Sequence, residues 1–195
     1  QPVGNFPNVL EKAYRDAYHP FLEVLERHPG IRLSLHTSGI LYEWLEEHHA
    51  DYLDRLAQLA RAGRVEVLGG GFYEPILASL PEKDQLGQIA RMQRYLQGRF
   101  GAPAKGLWLA ERVWEPQLPK TLARAGMEYT VVDDTHFHAV GFADGELRGH
   151  FLTEAEGNAV RVFPISQRLR YLMPYAKPEE VIDFLRAAGE AAKGR

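Results

Sequence analysis

The sequence predicts an α/β fold built on a parallel sheet, and three observations support this prediction. Helical periodicity alternates along the chain with short β-rich segments, which is the pattern of right-handed βαβ units. The chain has 195 residues, 45% of them hydrophobic, so it can bury one sizeable core. No low-complexity linker or block of like charge interrupts it. Residues 1–195 are therefore predicted to form a single domain.

The helices are predicted from apolar residues that recur at intervals of three and four. They cover about 8–28, the stretches around Leu41 and Leu53, the stretches that follow Pro81 and Pro116, and about 178–192. Pro20 lies inside the first helix and is expected to kink it. Gly63 and Gly126 end two of the others.

The strands are predicted from short runs of β-branched and other apolar residues. They cover 31–36, 64–68, 107–110, 129–132 and 159–163. The segment from Gly141 to Gly157 is rich in glycine and acidic residues, and we interpret it as a long excursion on one rim of the sheet.

Ionisable residues follow four of these strands at the points where the strands end. They are His36, Glu74, Glu111 and the pair Asp133–Asp134. Each one alone could cap the next helix or face solvent. Because the carboxyl ends of parallel strands meet at one edge, where α/β folds build their active sites, four in register favour a functional site.

Glu111 is the strongest single candidate. It follows an apolar strand, and period-two alternation puts it on the same side as Leu107 and Leu109, at the mouth of the core. Trp108 and Trp114 flank it, and indole rings suit the flat apolar faces of sugars. The competing interpretation is an ion pair from Glu111 to Arg112 or to a neighbouring strand.

Two further patterns are open to more than one interpretation. The run Gly69–Gly71 lacks the residues of a phosphate-binding loop, so we interpret it as giving a ligand room to approach and aiming Glu74 into the site. His136 and His138 lie close after Asp133 and could hold a metal ion. We favour a polar loop there, because further ligands cannot be named.

Composition excludes several classes of function. The net charge is −3 and the basic residues are dispersed, which argues against a nucleic-acid partner. The absence of cysteine removes disulfides and thiolate chemistry and fits a reducing compartment. No apolar run is long enough to cross a bilayer. We therefore expect a cytoplasmic protein, and the start at Gln1 without a methionine suggests a processed or truncated chain.

Several motifs, in a consistent order along the whole chain, resemble glycoside hydrolase family 57, in particular its 4-α-glucanotransferase and α-amylase-like members. The motifs that carry the resemblance are Gln1–Phe6, Val65–Pro75, Trp108–Pro116, Val132–Phe137 and Arg170–Tyr175. The resemblance implies a (β/α)7 barrel that cleaves α-1,4-glucans with retention of configuration. It also implies that neither an organic cofactor nor a catalytic metal is needed.

The resemblance further assigns individual residues. Glu111 matches the catalytic nucleophile, Glu74 matches an acidic residue of the substrate site, and Gln1 matches the glutamine of the family's opening motif. Trp108 and Trp114 would line the sugar subsites of an α-glucan or maltooligosaccharide. We expect His36, Asp133, Asp134 and His136 to contribute to the same substrate site.

The resemblance also predicts what this chain lacks. The family's first strand would precede Gln1, and its acid/base aspartate lies in an Asp-Asp-Gly motif that this sequence does not contain. We therefore expect an incomplete barrel without its first and last strands, inactive by itself. Two alternatives remain: a metal-dependent polysaccharide deacetylase with a similar barrel, and a catalytically silent glucan-binding module.

Overall fold

The computed structural model describes residues 7–193 and has α/β architecture with mixed sheets. The α-helices are α1 Pro7–Ala13, α2 His19–Arg27, α3 Gly39–His48, α4 Ala50–Arg61, α5 Glu82–Phe100, α6 Leu118–Arg124, α7 Thr135–His138, α8 Gln167–Leu172 and α9 Pro178–Lys193. The strands are β1 Leu33–His36, β2 Val65–Leu68, β3 Gly106–Trp108, β4 Tyr129–Asp133, β5 Phe151–Ala155 and β6 Asn158–Ile165. No helix within these residues is long and apolar enough to cross a membrane.

The first predicted helix is present, but it is not a single α-helix. A π-helical turn, Tyr14–Tyr18, joins α1 to α2, and Pro20 lies in the first turn of α2. A proline ring crowds the carbonyl group of the residue four positions earlier and offers it no N–H. The wider π-turn just before Pro20 is where the regular α-helical pattern gives way, and the helix continues beyond it.

All strands except β5 run parallel to their neighbours. β1 pairs with β2, while the second sheet has the order β3-β4-β6-β5, with β5 antiparallel at its edge. An isolated bridge between Gly69 and Leu107 connects the two sheets. It consists of two hydrogen bonds: Gly69 N–H donates to Gly106 O at 2.8 Å, and Trp108 N–H donates to Gly69 O at 3.0 Å.

The predicted excursion from Gly141 to Gly157 is wrong in its second half, because strand β5 forms there. Glu156 and Gly157 both have positive φ, 52° and 77°, which is the backbone of a tight hairpin turn matching the twist of the strands. β5 also alternates between half-buried and exposed residues, as an edge strand does. The sequence prediction also missed α7 and α8 and extended β3 to Ala110, which lies in a 3₁₀ turn.

Two hydrophobic cores lie within the described residues. The first is formed by α1 to α4 with β1 and β2, and the second by β3, β4, β6 and α6. Helix α5 contributes to both, since Met92 and Leu96 belong to the first core and Ile89 to the second. The sequence predicted one core, whereas the structure has two, one against each of the two sheets.

Candidate active site at the carboxyl edge of the strands

The ionisable residues predicted at strand ends lie along one edge of the parallel strands. His36 ends β1, Glu74 follows β2, Glu111 follows β3, and Asp133 ends β4. Because β1 to β4 pair in parallel, directly or through the Gly69–Leu107 bridge, these carboxyl ends point the same way. Gln1, also predicted for the site, lies outside the described residues.

His36 and Glu74 form a direct pair across the ends of β1 and β2. Nε2 of His36 lies 2.5 Å from Oε1 of Glu74, and the two side chains are only 12% and 21% exposed. Glu74 has φ 56°, a left-handed conformation that is costly for a residue with a side chain. The structure therefore holds this carboxylate in place against the histidine.

The glycine run Gly69–Gly71 leaves space for the imidazole of His36, and it does not leave space for a ligand as the sequence suggested. A Cβ on Gly70 would lie 2.6 Å from Cε1 of His36, and one on Gly71 would lie 2.7 Å from Cδ of Pro75. The space around these glycines is thus filled by the protein's own side chains and does not admit a ligand. None of Gly69–Gly71 has positive φ, so their backbone does not require glycine. What requires glycine at Gly70 and Gly71 is the space that a Cβ would take from neighbouring side chains.

Trp108, at the end of β3, connects the two parts of the edge. Its indole ring stacks on the His36 ring at a centroid distance of 6.2 Å and an angle of 22°. The indole also contacts Arg112, whose guanidinium carbon lies 5.9 Å from the centroid of the indole ring. The indole is half-buried, so part of it remains accessible to a ligand.

Glu111 lies in a tight 3₁₀ turn directly after β3. It has φ 53° and ψ 8°, and Arg112 follows with φ 56°. The prediction from strand alternation is wrong here, because β3 ends at Trp108 and Glu111 is exposed. The predicted ion-pair alternative is absent too: within residues 7–193 the Glu111 carboxylate has neither a hydrogen bond nor an ion pair, and Arg112 bonds elsewhere.

Asp133 binds two arginines that sequence reasoning did not assign to the site. Its Oδ2 accepts a hydrogen bond from Nε of Arg112 at 3.2 Å and another from Nη2 of Arg170 at 3.3 Å. Its side chain is 15% exposed. The sequence signals were the position of Arg112 beside Glu111 and that of Arg170 at the start of the motif Arg170–Tyr175. The contacts thus run in a row from Glu74 through His36, Trp108, Arg112 and Asp133 to Arg170.

The other predicted site residues do not join this row. Asp134 anchors α8, since its Oδ2 accepts the backbone N–H of Gln167 at 3.0 Å. Trp114 is half-buried and packs against the second core. His136 makes no side-chain hydrogen bond within the part of the chain that the structure describes. For these three residues a substrate role stays a prediction.

The alternative of a metal site around Asp133, His136 and His138 is not supported by the contacts. Nδ1 of His138 lies 2.9 Å from Phe142 O, its Nε2 lies 3.1 Å from Oδ1 of Asp144, and Asp133 is bound to arginines. Among residues 7–193, no three histidine, aspartate or glutamate side chains are grouped as metal ligands would be.

A cavity of about 250 Å³ lies beside the His36–Glu74 pair. Phe21 and Leu41 are among the side chains that line it, so it combines a carboxylate and an imidazole with apolar walls. Such a combination suits a neutral polyhydroxylated ligand, whose hydroxyl groups need hydrogen-bond partners and whose ring faces need apolar contact.

Comparison with known proteins identifies the family. The model of glycosyl hydrolase family 57 matches residues 3–193. The chain belongs to this family. Alpha-amylase 1 of Dictyoglomus thermophilum is 49% identical to this chain over 185 residues.

The structural comparison agrees with this family. The crystal structure of 4-alpha-glucanotransferase from Thermococcus litoralis superposes with a TM-score of 0.93 at 46% identity, over 96% of this chain and 29% of that one. The match to the Dictyoglomus alpha-amylase 1 covers 95% of this chain and 27% of that protein. The chain thus spans less than a third of the length of these relatives.

A more distant structure shares only the fold. A putative polysaccharide deacetylase from Mycobacterium smegmatis superposes with a TM-score of 0.62 at 16% identity, over 89% of this chain and 58% of that one. This likeness explains why the sequence pattern alone left a deacetylase open as an alternative to family 57.

Proposed function

We propose that this chain is part of a retaining α-glucan-processing enzyme, a 4-α-glucanotransferase or an α-amylase, with Glu111 as its catalytic nucleophile. The single domain 1–195 would be an incomplete (β/α)7-type barrel. Its substrate would be an α-1,4-glucan or maltooligosaccharide, which fits the names of the similar family 57 proteins.

The observation that carries the proposal is the conformation of Glu111. Its carboxylate is exposed, has no partner within residues 7–193, and is presented by a strained left-handed turn at the carboxyl edge of the strands. Strained backbone of this kind is concentrated at functional sites. A carboxylate that stabilised the fold would instead be expected to bond to a neighbour, as Asp133 does.

The proposed reaction has two displacement steps. Glu111 attacks the anomeric carbon of the scissile glucose, the bond to the glycosidic oxygen breaks, and a second carboxyl group gives that oxygen a proton. The glycosyl-enzyme is then attacked by water or by a sugar hydroxyl group, which returns a proton to the second carboxylate. Water gives hydrolysis, and a glucan hydroxyl group gives transfer.

The second carboxyl group is proposed to come from a residue outside 1–195. A retaining mechanism needs the two groups about 5 Å apart. Along the described edge, Glu74 is bonded to His36 and Asp133 to two arginines. These pairings favour a supporting role for both carboxylates over proton transfer to the leaving oxygen.

The test uses the complete natural protein that contains this chain. Glu111→Gln removes the nucleophilic oxygen and should lower kcat on maltooligosaccharides by at least about a thousandfold while binding persists. Turnover is measured by product chromatography, and binding by calorimetry. A fluorinated maltosyl inactivator should leave an adduct on Glu111 that peptide mass spectrometry locates.

Glu115→Gln is the matched control, because Glu115 is an exposed glutamate on the same loop without a side-chain partner among the described residues. It should retain kcat. An adduct on any residue other than Glu111, or a Glu111→Gln variant as active as the control, contradicts the proposal.

A further inference from the structure

We infer that Asp133 is a positioning residue that fixes the Glu111 carboxylate through Arg112, and that it does not bind substrate itself. The inference rests on the proposed function, because it gives Asp133 a role in the action of the proposed nucleophile. It replaces the sequence-based expectation that Asp133 contacts the sugar.

The turn that presents Glu111 needs an external support. Two consecutive residues, Glu111 and Arg112, adopt positive φ. Each non-glycine residue in this region costs about 1–3 kcal/mol, and such conformations persist only where the surroundings fix them. Within residues 7–193 the Glu111 side chain has no hydrogen bond or ion pair of its own, so we expect the support to act through its neighbour.

The side chain of Arg112 supplies that support. Its Nε donates to Oδ2 of Asp133, and its guanidinium lies over the ring of Trp108. Within residues 7–193 Asp133 is its only side-chain hydrogen-bond partner. Arg112 is therefore held between the ends of β3 and β4, and the backbone of the Glu111 turn is held with it.

Asp133 is well fixed and poorly placed to meet a ligand. It pairs with Ile165 of β6 as the last residue of β4, so its backbone belongs to the sheet. Its Oδ2 already accepts two arginines, and its Oδ1 is buried without a hydrogen-bond partner in the described residues. A buried oxygen cannot reach a sugar hydroxyl group, so the charge of Asp133 acts on the arginines.

The arrangement is not the one that would give the greatest stability. An unsatisfied buried carboxylate oxygen is costly, and such exceptions in folded proteins call for an explanation. Holding the side chain of Arg112, and with it the backbone of the Glu111 turn, is the explanation that the contacts support.

The experiment compares Asp133→Asn and Arg112→Gln in the complete natural protein, with an activated aryl maltooligosaccharide as substrate. Displacing a reacting group by about 1 Å can cost about a hundredfold in rate, so each variant should lower kcat by about 10- to 100-fold. KM should stay within about twofold, because substrate contacts are unchanged. The double variant should lose no more than the worse single variant, since both changes break one support.

Three further variants distinguish positioning through Arg112 from a general effect of removing an arginine and from a failure of the proposed nucleophile. Arg168→Gln removes an arginine of α8 that lies over Phe184 and is not bonded to Asp133, and this variant should keep kcat. Arg170→Gln should lower kcat less than Arg112→Gln does. Glu111→Gln, measured in parallel, tests the proposed function independently. Thermal unfolding is recorded for every variant, and Arg112→Gln decides if Asp133→Asn does not fold.

Several results would overturn the inference. A raised KM with unchanged kcat in Asp133→Asn would make Asp133 a substrate ligand. An equal loss of kcat in Arg170→Gln and Arg112→Gln, or an unchanged kcat in Arg112→Gln, would show that Asp133 does not act on Glu111 through Arg112. If Glu111→Gln abolishes turnover while Asp133→Asn is fully active, only this inference fails and the proposed nucleophile stands.

Discussion

At the scale of single residues, backbone strain is concentrated beside the candidate site. Glu74 and Glu111 have φ of 56° and 53°, and each follows a parallel strand at the same edge. Such conformations are uncommon for residues other than glycine, and glutamate has no special preference for them. Their recurrence at two strand ends indicates that the edge is built to hold carboxylates in fixed positions.

Gly70→Ala tests whether the room left for His36 matters. The added Cβ would lie 2.6 Å from the imidazole, so the ring has to shift from the position in which it bonds Glu74. We expect kcat/KM in the complete natural protein to fall by about tenfold, with a stability loss of about 1–3 kcal/mol from overpacking. Steady-state kinetics and denaturant unfolding measure the two effects.

Gly87→Ala is the matched control for this change. Gly87 lies in α5 and a Cβ there would meet nothing within 4 Å. Since alanine is the better helix former, stability should rise by up to about 1 kcal/mol with activity unchanged. Equal activity in the two alanine variants would show that the His36–Glu74 contact is dispensable.

The positions of the site residues at strand ends were predictable from the sequence, but their hydrogen-bond partners were not. His36, Glu74, Glu111 and Asp133 follow apolar runs, so their place at strand ends could be predicted from local pattern alone. The bond between Asp133 and the two arginines joins residues 21 and 37 positions apart, and a single sequence carries no signal for such pairings. For the same reason the filling of the Gly70 space by His36 was not foreseen.

At the scale of elements, the strands with strong apolar runs were predicted well and the polar ones were not. β2 and β4 agree with prediction within one residue at each end. β5 was missed because glycines and acidic residues around it indicated a loop, although Glu156–Gly157 is a hairpin-turn sequence. α8 was missed because its start depends on Ser166 and Asp134, the second of which is distant in the chain.

Because Tyr52 of α4 is buried, the free energy of unfolding should fall as the pH rises in the alkaline range. Burial raises the pKa of Tyr52 to about 12, from 10.0 in an exposed tyrosine. Between these values the unfolded chain loses the phenolic proton while the folded chain keeps it. The contribution of Tyr52 is therefore complete below pH 10 and is lost as pH rises from 10 towards 12.

Tyr52→Phe should reduce this loss. Compared with the natural protein, the variant's free energy of unfolding should fall less steeply above pH 10, by up to about 1.4 kcal/mol per pH unit. Denaturant unfolding at pH 8 to 11.5 measures the slopes. Identical slopes in both proteins would show that Tyr52 ionises as an exposed phenol does. Burial also raises the pKa of Tyr42 and Tyr95, so a residual slope is expected.

At the scale of the whole molecule, several large apolar side chains of the described residues are exposed to solvent. Large hydrophobic side chains that are mostly exposed include Val140, Leu152, Tyr171, Met173 and Tyr175, the last at 83%. Leu152 lies in β5, Tyr171 lies in α8, and Met173 and Tyr175 follow α8 in the chain. Exposed apolar patches of this kind indicate surfaces that another segment or molecule covers.

Residues 1–195 produced alone should therefore self-associate and show no glucan turnover. Light scattering over a range of concentrations would report the association, and product chromatography the turnover. Leu152→Lys, on the edge strand β5, should reduce association because a charge on an edge strand disfavours further pairing. A monodisperse monomer with robust activity would contradict both this prediction and the need for a second carboxyl group from elsewhere.

The Gly69–Leu107 bridge is a short backbone connection between the two sheets, which helix α5 also links by packing into both cores. Two backbone hydrogen bonds join the sheets there, while each sheet is backed by a core of its own. The row of contacts from Glu74 to Arg170 crosses that seam at the stacked rings of His36 and Trp108. Heating that separates the two sheets at this seam would thus dismantle the site before either core is lost. In the complete natural protein, inactivation should then precede the collapse of the fold.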